Sequence, residues 1–271
     1  MSVSNQPIKP LTPLDFDTVR ELARASCGIS LHEGKKALVS SRLERLVRRY
    51  GCDSFTQYIQ LVSQHRHGAQ FTEFIDTLTT NHSGFWREPE HFQFLRNVIF
   101  PVHPNRIRIW SAACATGEEP YTIAMCALES GIRNCVIHAS DISSAALRSA
   151  TQAEYESGKA AVLPPGWKER YFVSVPGSGE GILRVSDAVR SSVSFASLNL
   201  LQPFGHVGQF DVIFCRNVMI YFEQATRDRL IEALVAQLQT GGHLFTGHSE
   251  TLLRLPETLQ YVRPATYRKI V

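Results

Sequence analysis

The sequence lacks most markers of a specialised protein class. No apolar run approaches the roughly 18 residues that a bilayer crossing needs, so no membrane insertion is expected. Residues 1 to 11 carry Pro7 and Pro10 but no apolar core of a secretory signal, which points to the cytoplasm. The cysteines, Cys27, Cys52, Cys114, Cys126, Cys135 and Cys215, are scattered with no C-x-x-C pair. That spacing excludes a zinc ribbon or a thioredoxin-type dithiol, and buried thiols in a reducing compartment are expected instead. Charge of one sign is not in excess either. The 28 Lys+Arg stand against 25 Asp+Glu, a net +3, too mild for nucleic acid to be a partner. Repeats and low-complexity tracts are missing, and with 44% hydrophobic and 20% charged residues in a chain of 271 collagen, coiled coil and general disorder are excluded. What is left is a globular protein of one or two domains with a substantial core.

Hydrophobic period divides that chain in two. From about Asp15 to Phe92 apolar residues recur at helical spacing: Phe16, Val19, Leu22 and Ala23, then Leu38, Val39, Leu43, Leu46 and Val47, then Phe71, Phe74, Ile75 and Leu78. Thr12-Pro13 reads as a helix start, Gly51 as a stop, and Asp53 or Ser54 as the cap of the next helix. Beyond about Asn105 short β-rich runs alternate with helical stretches, the pattern of an α/β domain with a mostly parallel sheet. Strands are expected at 107–110, 136–139, 193–198, 210–214 and 243–247, and helices at 120–130, 144–155 and 227–238. Gly241-Gly242 marks the step from the last helix to its strand. Tyr171 to Val175 and Ile182 to Val185, around a Gly-rich connection at 176–181, read as an inserted β hairpin.

Chemistry-bearing residues cluster where these strands end. The first runs into Ser111-Ala-Ala-Cys-Ala-Thr-Gly117-Glu118-Glu119-Pro120, whose small residues let a backbone approach a ligand beside the start of a helix. G-x-G-x-x-G is absent, and the two carboxylates would repel a pyrophosphate but accept a cationic ligand. An NAD oxidoreductase is therefore the weakest reading. Asp141 follows the second strand where an acid meets ribose hydroxyls in Rossmann-like sheets; a turn or N-cap is the plainer alternative. Asn199 and Asn217 end two further strands. Upstream, Asn81-His-Ser-Gly-Phe-Trp-Arg87 offers polar groups and two aromatics as a ligand wall, or else a linker whose Phe85 and Trp86 dock two domains.

Other patterns are missing. Gly247-His-Ser-Glu250 lacks the second glycine of a nucleophile elbow, and His82, His91, His103 and His248 fit no metal-ligand spacing, so no metal is expected. On the second helix Arg42, Arg45 and Arg49 recur on one face with Arg48 beside them, either a solvated stripe or a surface for an acidic partner.

Taken in order, Leu78-Thr-Thr-Asn-His-Ser-Gly-Phe-Trp-Arg-Glu88, Trp110 to Tyr121, Ser140-Asp-Ile142, Asn199-Leu-Leu201, Phe214-Cys-Arg-Asn-Val-Met-Ile-Tyr-Phe222 and Gly247-His-Ser-Glu250 resemble the CheR family, the bacterial chemotaxis receptor methyltransferases. The resemblance runs from about Leu11 to Ile270. It implies transfer of a methyl group from S-adenosyl-L-methionine to chemoreceptor glutamates, with S-adenosyl-L-homocysteine as product. The implied fold is a Rossmann-like class I methyltransferase domain over 105–271 with an inserted antiparallel β subdomain at about 160–192, a helical substrate-docking domain over 1–80, and a linker at 81–104 that contributes to the cofactor site. It also implies that Asn81, Ser83, Arg87, Glu118, Asp141, Asn199, Leu200, Arg216 and Asn217 line that site, with Asp141 on the ribose, Asn199 and Leu200 on the adenine and Arg87 on the methionine carboxylate or nearby acids. Ser83 stands where many relatives have Thr, and Trp86 where Phe is common. Arg87 and Tyr221 are the expected catalytic residues, orienting the substrate carboxylate. Arg42, Arg45, Arg48 and Arg49 are the expected docking charges for cytoplasmic receptor helices. Recruitment to receptor arrays, capture of a receptor C-terminal peptide by the β subdomain, a regulatory protein and a monomeric state complete what is expected. A small-molecule methyltransferase and a non-catalytic cofactor-binding module are the alternatives.

Overall fold

Thr12 fixes where the first helix begins. Its Oγ1 accepts from the Asp15 N–H at 3.1 Å while Asp15 Oδ2 accepts from the Thr12 N–H at 3.0 Å, a reciprocal capping box with Pro13 at the first helical position. The computed structural model describes residues 8–271 apart from 67, 176, 178–180 and 253. Helices α1 (Pro13–Cys27), α2 (Lys36–Arg49), α3 (Phe55–Gln64) and α4 (Ala69–Leu78) belong to a unit made of residues up to Thr80 together with Tyr221–Thr226. Phe16, Val19, Leu43, Tyr58 and Phe74 fill its core. Ser54 caps α3 by accepting from the Gln57 N–H. Leu38, expected among the core positions, is 42% exposed; it lies on the face of α2 that carries Arg42, Arg45 and Arg49 rather than on the Val39, Leu43, Leu46 stripe.

The second unit, Asn81–Ile220 with Arg227–Val271, holds ten strands among its described residues: β1 (Ile107–Ala112), β2 (Cys135–Asp141), β3 (Glu154–Glu156), β4 (Phe172–Ser174), β5 (Ile182–Val185), β6 (Val193–Ser197), β7 (Phe210–Cys215), β8 (Leu238–Thr246), β9 (Leu259–Arg263) and β10 (Thr266–Lys269). The main sheet runs β6-β2-β1-β7-β8-β10-β9, parallel from β6 through β8 and antiparallel over its last two pairings. Its helices are α5 (Pro89–Phe94), α6 (Glu118–Glu129), α7 (Ser144–Gln152), α8 (Trp167–Tyr171), α9 (Asp187–Arg190) and α10 (Gln224–Ala236), whose first three residues fall in the other unit. The strand order makes this a Rossmann-like, doubly wound sheet with an antiparallel pair at one edge. Ile107, Ile109, Ile137, Val212 and Phe214 are its inaccessible centre. All six cysteines are buried free thiols.

Four details depart from the sequence reading. The helix expected to reach Tyr155 stops at Gln152, because Ala153 turns left-handed at φ 58° and residues 154–156 become β3. The β subdomain is thus a three-stranded antiparallel sheet in the order β3-β5-β4, starting before residue 160. Most of the Gly-rich turn at 176–181 lies outside the described residues. Gly241-Gly242 sits inside β8 rather than ahead of it, where Gly241 at φ 84° accompanies a register shift against β7. Residues 81–104, expected as a linker, fall within the second unit: Phe85 packs edge-on to Tyr155 and Phe172, and Trp86 stacks on Phe92.

Candidate active site

Chain order sets the position of the crevice. From β1 the strands step outward through β2 to β6, then resume on the other side of β1 with β7 and β8. In such a sheet ligands bind beyond the carboxyl ends of the strands at this reversal. Ala112 ends β1 beside Ser140 on one side and Cys215 on the other. The residues that follow these strand ends are therefore neighbours although they lie up to about 100 positions apart in sequence.

The loop after β1 is held in unusual backbone. Ala113 and Ala115 have φ of 63° and 47°, and Gly117 has 93°. A side chain at Gly117 would meet Ala150 Cβ at 2.9 Å and the Tyr155 hydroxyl at 3.0 Å, so only glycine fits. Trp86, Glu88 and Asn217 are also left-handed. Each such non-glycine residue costs about 1 kcal/mol or more, a cost that surrounding contacts must offset.

Asp141 supplies some of those contacts. It is 6% exposed; Oδ2 accepts from the Ala115 N–H and Oδ1 from the Ser143 N–H, both at 2.8 Å. The turn role and the crevice position expected of it thus coincide. Ser143 caps α7 and also accepts from Asn81 Nδ2 at 3.2 Å, which brings Asn81 to the same end of β2. Ser83 follows two residues later, half-buried. Asn199 Oδ1 accepts from the Leu201 N–H at 3.0 Å, turning the chain after β6 with Leu200 half-buried between them. Glu118, the first residue of α6, has no exposed surface; its Oε1 accepts from Lys159 Nζ at 2.8 Å and its Oε2 from Thr116 Oγ1 at 2.6 Å.

A buried ion network closes the other flank. Arg216, its side chain 3% exposed, contacts Glu88 Oε2 at 2.9 Å through Nη2 and Glu119 Oε2 at 3.0 Å through Nη1. It also donates to the Arg87 carbonyl. Glu88 Oε1 accepts from Asn217 Nδ2. Burial pushes the Glu88 carboxyl up, but the Arg216 guanidinium and the donors on it outweigh burial and hold it below its ordinary value. For Glu119 burial prevails over Arg216 and the Ser111 hydroxyl, and its carboxyl lies above the ordinary value. Glu250, 3% exposed, accepts from the N–H groups of Asn217 and Gly247, each at 2.7 Å, and fixes the turn after β7. Glu88, Glu250, Thr116 and Lys159 thus stand among the candidate site residues although the sequence reading did not single them out, and Glu119 entered it only as one of two carboxylates. Glu88, Thr116, Glu119 and Glu250 all stand inside the quoted motifs, whereas Lys159 had no local signal.

The remaining expected residues are spread more widely. Arg87 Nη1 donates to the His82 carbonyl at 3.1 Å. Tyr221 falls in the first unit, where its carbonyl accepts from the Ser30 N–H at 2.9 Å. Of the four arginines on α2, Arg42 is committed to the end of α4, donating to the carbonyls of Leu78 and Thr79 at 3.2 and 3.3 Å. Arg48 pairs with Glu44 and Arg49 with Glu73. Arg45 is exposed and has no ion pair among the described residues. The histidines do not all stand apart: Glu88, His91 and His248 bring one donor atom each within 4.8 Å of one another. The Arg216 guanidinium already occupies the same Glu88 oxygen, and its charge opposes a second cation there. Burial, reinforced by Arg216, pushes the fully buried His91 down to about 3.

The acceptors Asp141 and Glu118 suit a ligand that is cationic at one end and carries hydroxyls. Comparison with known proteins agrees. Residues 81–268 match the model for the CheR methyltransferase SAM binding domain, and residues 14–79 the CheR methyltransferase all-alpha domain. A chemotaxis protein methyltransferase of Borreliella burgdorferi is 40% identical over 256 residues, covering 89% of each chain. One from Klebsiella aerogenes is 37% identical over 261 residues, covering 95% of this chain and 89% of the relative. Among solved structures, magnesium protoporphyrin IX methyltransferase from Synechocystis PCC 6803 with bound SAH aligns at a TM-score of 0.35 and 16% identity over 69% of this chain and 70% of that one.

Proposed function

Because the chain belongs to the CheR methyltransferase family and is an S-adenosylmethionine-dependent methyltransferase of chemotaxis, we propose that it esterifies glutamate side chains on the cytoplasmic helices of chemoreceptors. The observation that carries the site assignment is the pair of buried acceptors at the carboxyl ends of adjacent strands, Asp141 as the last residue of β2 and Glu118 in the helix that follows β1. A carboxylate accepts up to four hydrogen bonds, which suits Asp141 to the cofactor's ribose hydroxyls and Glu118 to the ammonium of its methionine part. Asn199 and Leu200 are assigned to the adenine, and Asn81, Ser83, Arg216 and Asn217 to the remaining wall.

S-adenosylmethionine supplies an electrophilic methyl group on a sulfonium. A glutamate is ionised near pH 7 and needs no strong base, so the protein's task is alignment and electrostatic support. Arg87 and Tyr221 are assigned to orienting the incoming carboxylate. Arg45, with Arg48 and Arg49 beside it, is assigned to docking an acidic receptor helix. Arg42 is left out of that set because its guanidinium caps α4. No helix among the described residues is long and apolar enough to cross a membrane, and we assign the protein to the cytoplasm at receptor arrays. The β subdomain, whose edge strands are β3 and β4, is the proposed docking point for a receptor C-terminal peptide.

Transfer of labelled methyl from S-adenosylmethionine to chemoreceptor-rich membranes, scored as base-labile methanol, tests this reading. Asp141→Ala is expected to abolish labelling, and Tyr221→Phe, Arg87→Ala and Arg45→Glu to reduce it at least tenfold. Base-stable label would refute the ester. Full activity of the Tyr221 and Arg87 variants would remove their assigned roles.

A further inference from the structure

Lys159 is the one cation on Glu118 among the described residues. It projects from the tight turn Ser157–Val162 that follows β3, and its ammonium rests 5.7 Å from the Tyr155 ring centroid, whose hydroxyl donates to the Thr116 carbonyl of the crevice loop at 2.7 Å. The partners differ sharply in exposure: the Lys159 side chain is 46% exposed and that of Glu118 is 0%. A carboxylate with no access to water needs a cation or a proton. A half-exposed lysine can give up such a partner cheaply, because its stem stays on the surface while its ammonium regains water.

We propose that Lys159 is the counter-ion that Glu118 holds when no cofactor is bound, and that the cofactor's α-ammonium displaces it, so that binding exchanges one ammonium for another. This rests on the assignment of Glu118 to the methionine end of the cofactor. Thr116 stays on Oε2 throughout, and only the cation on Oε1 changes. The exchange makes Lys159 a residue that sets affinity for the amino-acid end of the ligand. It leaves the nucleoside end, at Asp141 and Asn199, untouched.

The test is calorimetric titration of the full chain with S-adenosylhomocysteine and with 5′-methylthioadenosine, which lacks the amino-acid part. Lys159→Met removes the competitor. Affinity for S-adenosylhomocysteine is expected to rise roughly tenfold, the size of one charge-assisted hydrogen bond to a buried group, while that for 5′-methylthioadenosine stays within about twofold. Lys159→Arg keeps a cation and is expected to bind both ligands as wild type does. A second measurement needs no variant: acetylation of Lys159 in the wild-type protein, followed by peptide mass spectrometry, is expected to speed up with S-adenosylhomocysteine but not with 5′-methylthioadenosine. Weaker or unchanged S-adenosylhomocysteine binding in Lys159→Met, or protection of Lys159 by the ligand, would overturn the exchange. Failure of the wild type to bind either ligand would instead bring down the cofactor assignment itself.

Discussion

Replacing Arg216 by methionine keeps an unbranched stem of about the same girth, shortens the side chain and removes the cation from between two carboxylates. The Arg216 side chain is 3% exposed, and those of Glu88 and Glu119 are each 13% exposed, so water replaces little of what is lost. Removing one partner of a buried ion pair costs about 3–5 kcal/mol. Two acids are orphaned here, but burial already holds Glu119 toward its neutral form, and it can take up a proton. We therefore expect about 3 kcal/mol, which for a chain of this size lowers Tm by about 6–12 °C. The loss has a definite pH dependence. Without Arg216 both folded carboxyls titrate above their unfolded values, so the variant binds more protons when folded, and its deficit shrinks as pH falls from 7.5 to 5.5. Urea unfolding at those two pH values measures both quantities, and Glu88→Gln added to Arg216→Met is expected to recover part of the loss. A deficit below about 1 kcal/mol at pH 7.5, or one that does not change with pH, would refute the view that Arg216 chiefly neutralises this pair.

Two further outcomes follow from local chemistry. Thr12→Ala removes the side-chain half of the α1 capping box and is expected to cost about 1 kcal/mol, read by thermal melting; no change would mean that the cap contributes nothing to the first unit. His91, pushed down to about 3 by burial and then by Arg216, stays neutral in the fold while its unfolded counterpart titrates near 6.5. A histidine with a depressed folded pKa contributes stability above the unfolded value, which is lost as pH falls toward the folded one. Its share of that loss is about 2 kcal/mol by pH 5. His91→Leu is expected to flatten the stability curve between pH 6.5 and 5, and an unaltered slope would show that His91 is not the group responsible.

What the sequence made legible was whatever repeats at short range. The 3.6-residue period located α1, α2 and α4 through Phe16, Leu43 and Phe74, and β-rich runs located four of the five parallel strands of the main sheet to within two residues, whereas β8 begins five residues ahead of its expected start. The β9-β10 hairpin went unread because its turn is Pro264-Ala265, with Ala265 left-handed at φ 55°, and lacks the Asn-Gly or Asp-Gly signal that usually announces such a turn. Strand β3 was hidden for a similar reason: Ala153 ends α7 in a conformation that usually draws glycine, so the helical pattern ran on into Tyr155. Leu38 was assigned to the core because an apolar residue next to Val39 extends the stripe on paper, although one position along a helix turns it about 100° away.

The site was legible to a different degree, because its parts meet only through the sheet. Asp141 and Glu118 drew notice by standing near small residues and strand ends, although for Asp141 the same position also suits the turn it holds through the Ala115 and Ser143 N–H groups. Arg216 and Glu88 are 128 positions apart, and nothing local says that they form one ion pair. Their pairing depends on β7 lying beside β1 and on the left-handed turns at Glu88 and Asn217, conformations that an unaided reading assigns to neither residue. The same turns explain why such strain persists here: the hydrogen bonds from the backbone of Asn217 to Glu250, and from its side chain to Glu88, stabilise a backbone that would otherwise relax. A site built this way holds its carboxylates and guanidinium in place through the protein's own hydrogen bonds and ion pairs, which is what a reaction governed by alignment requires.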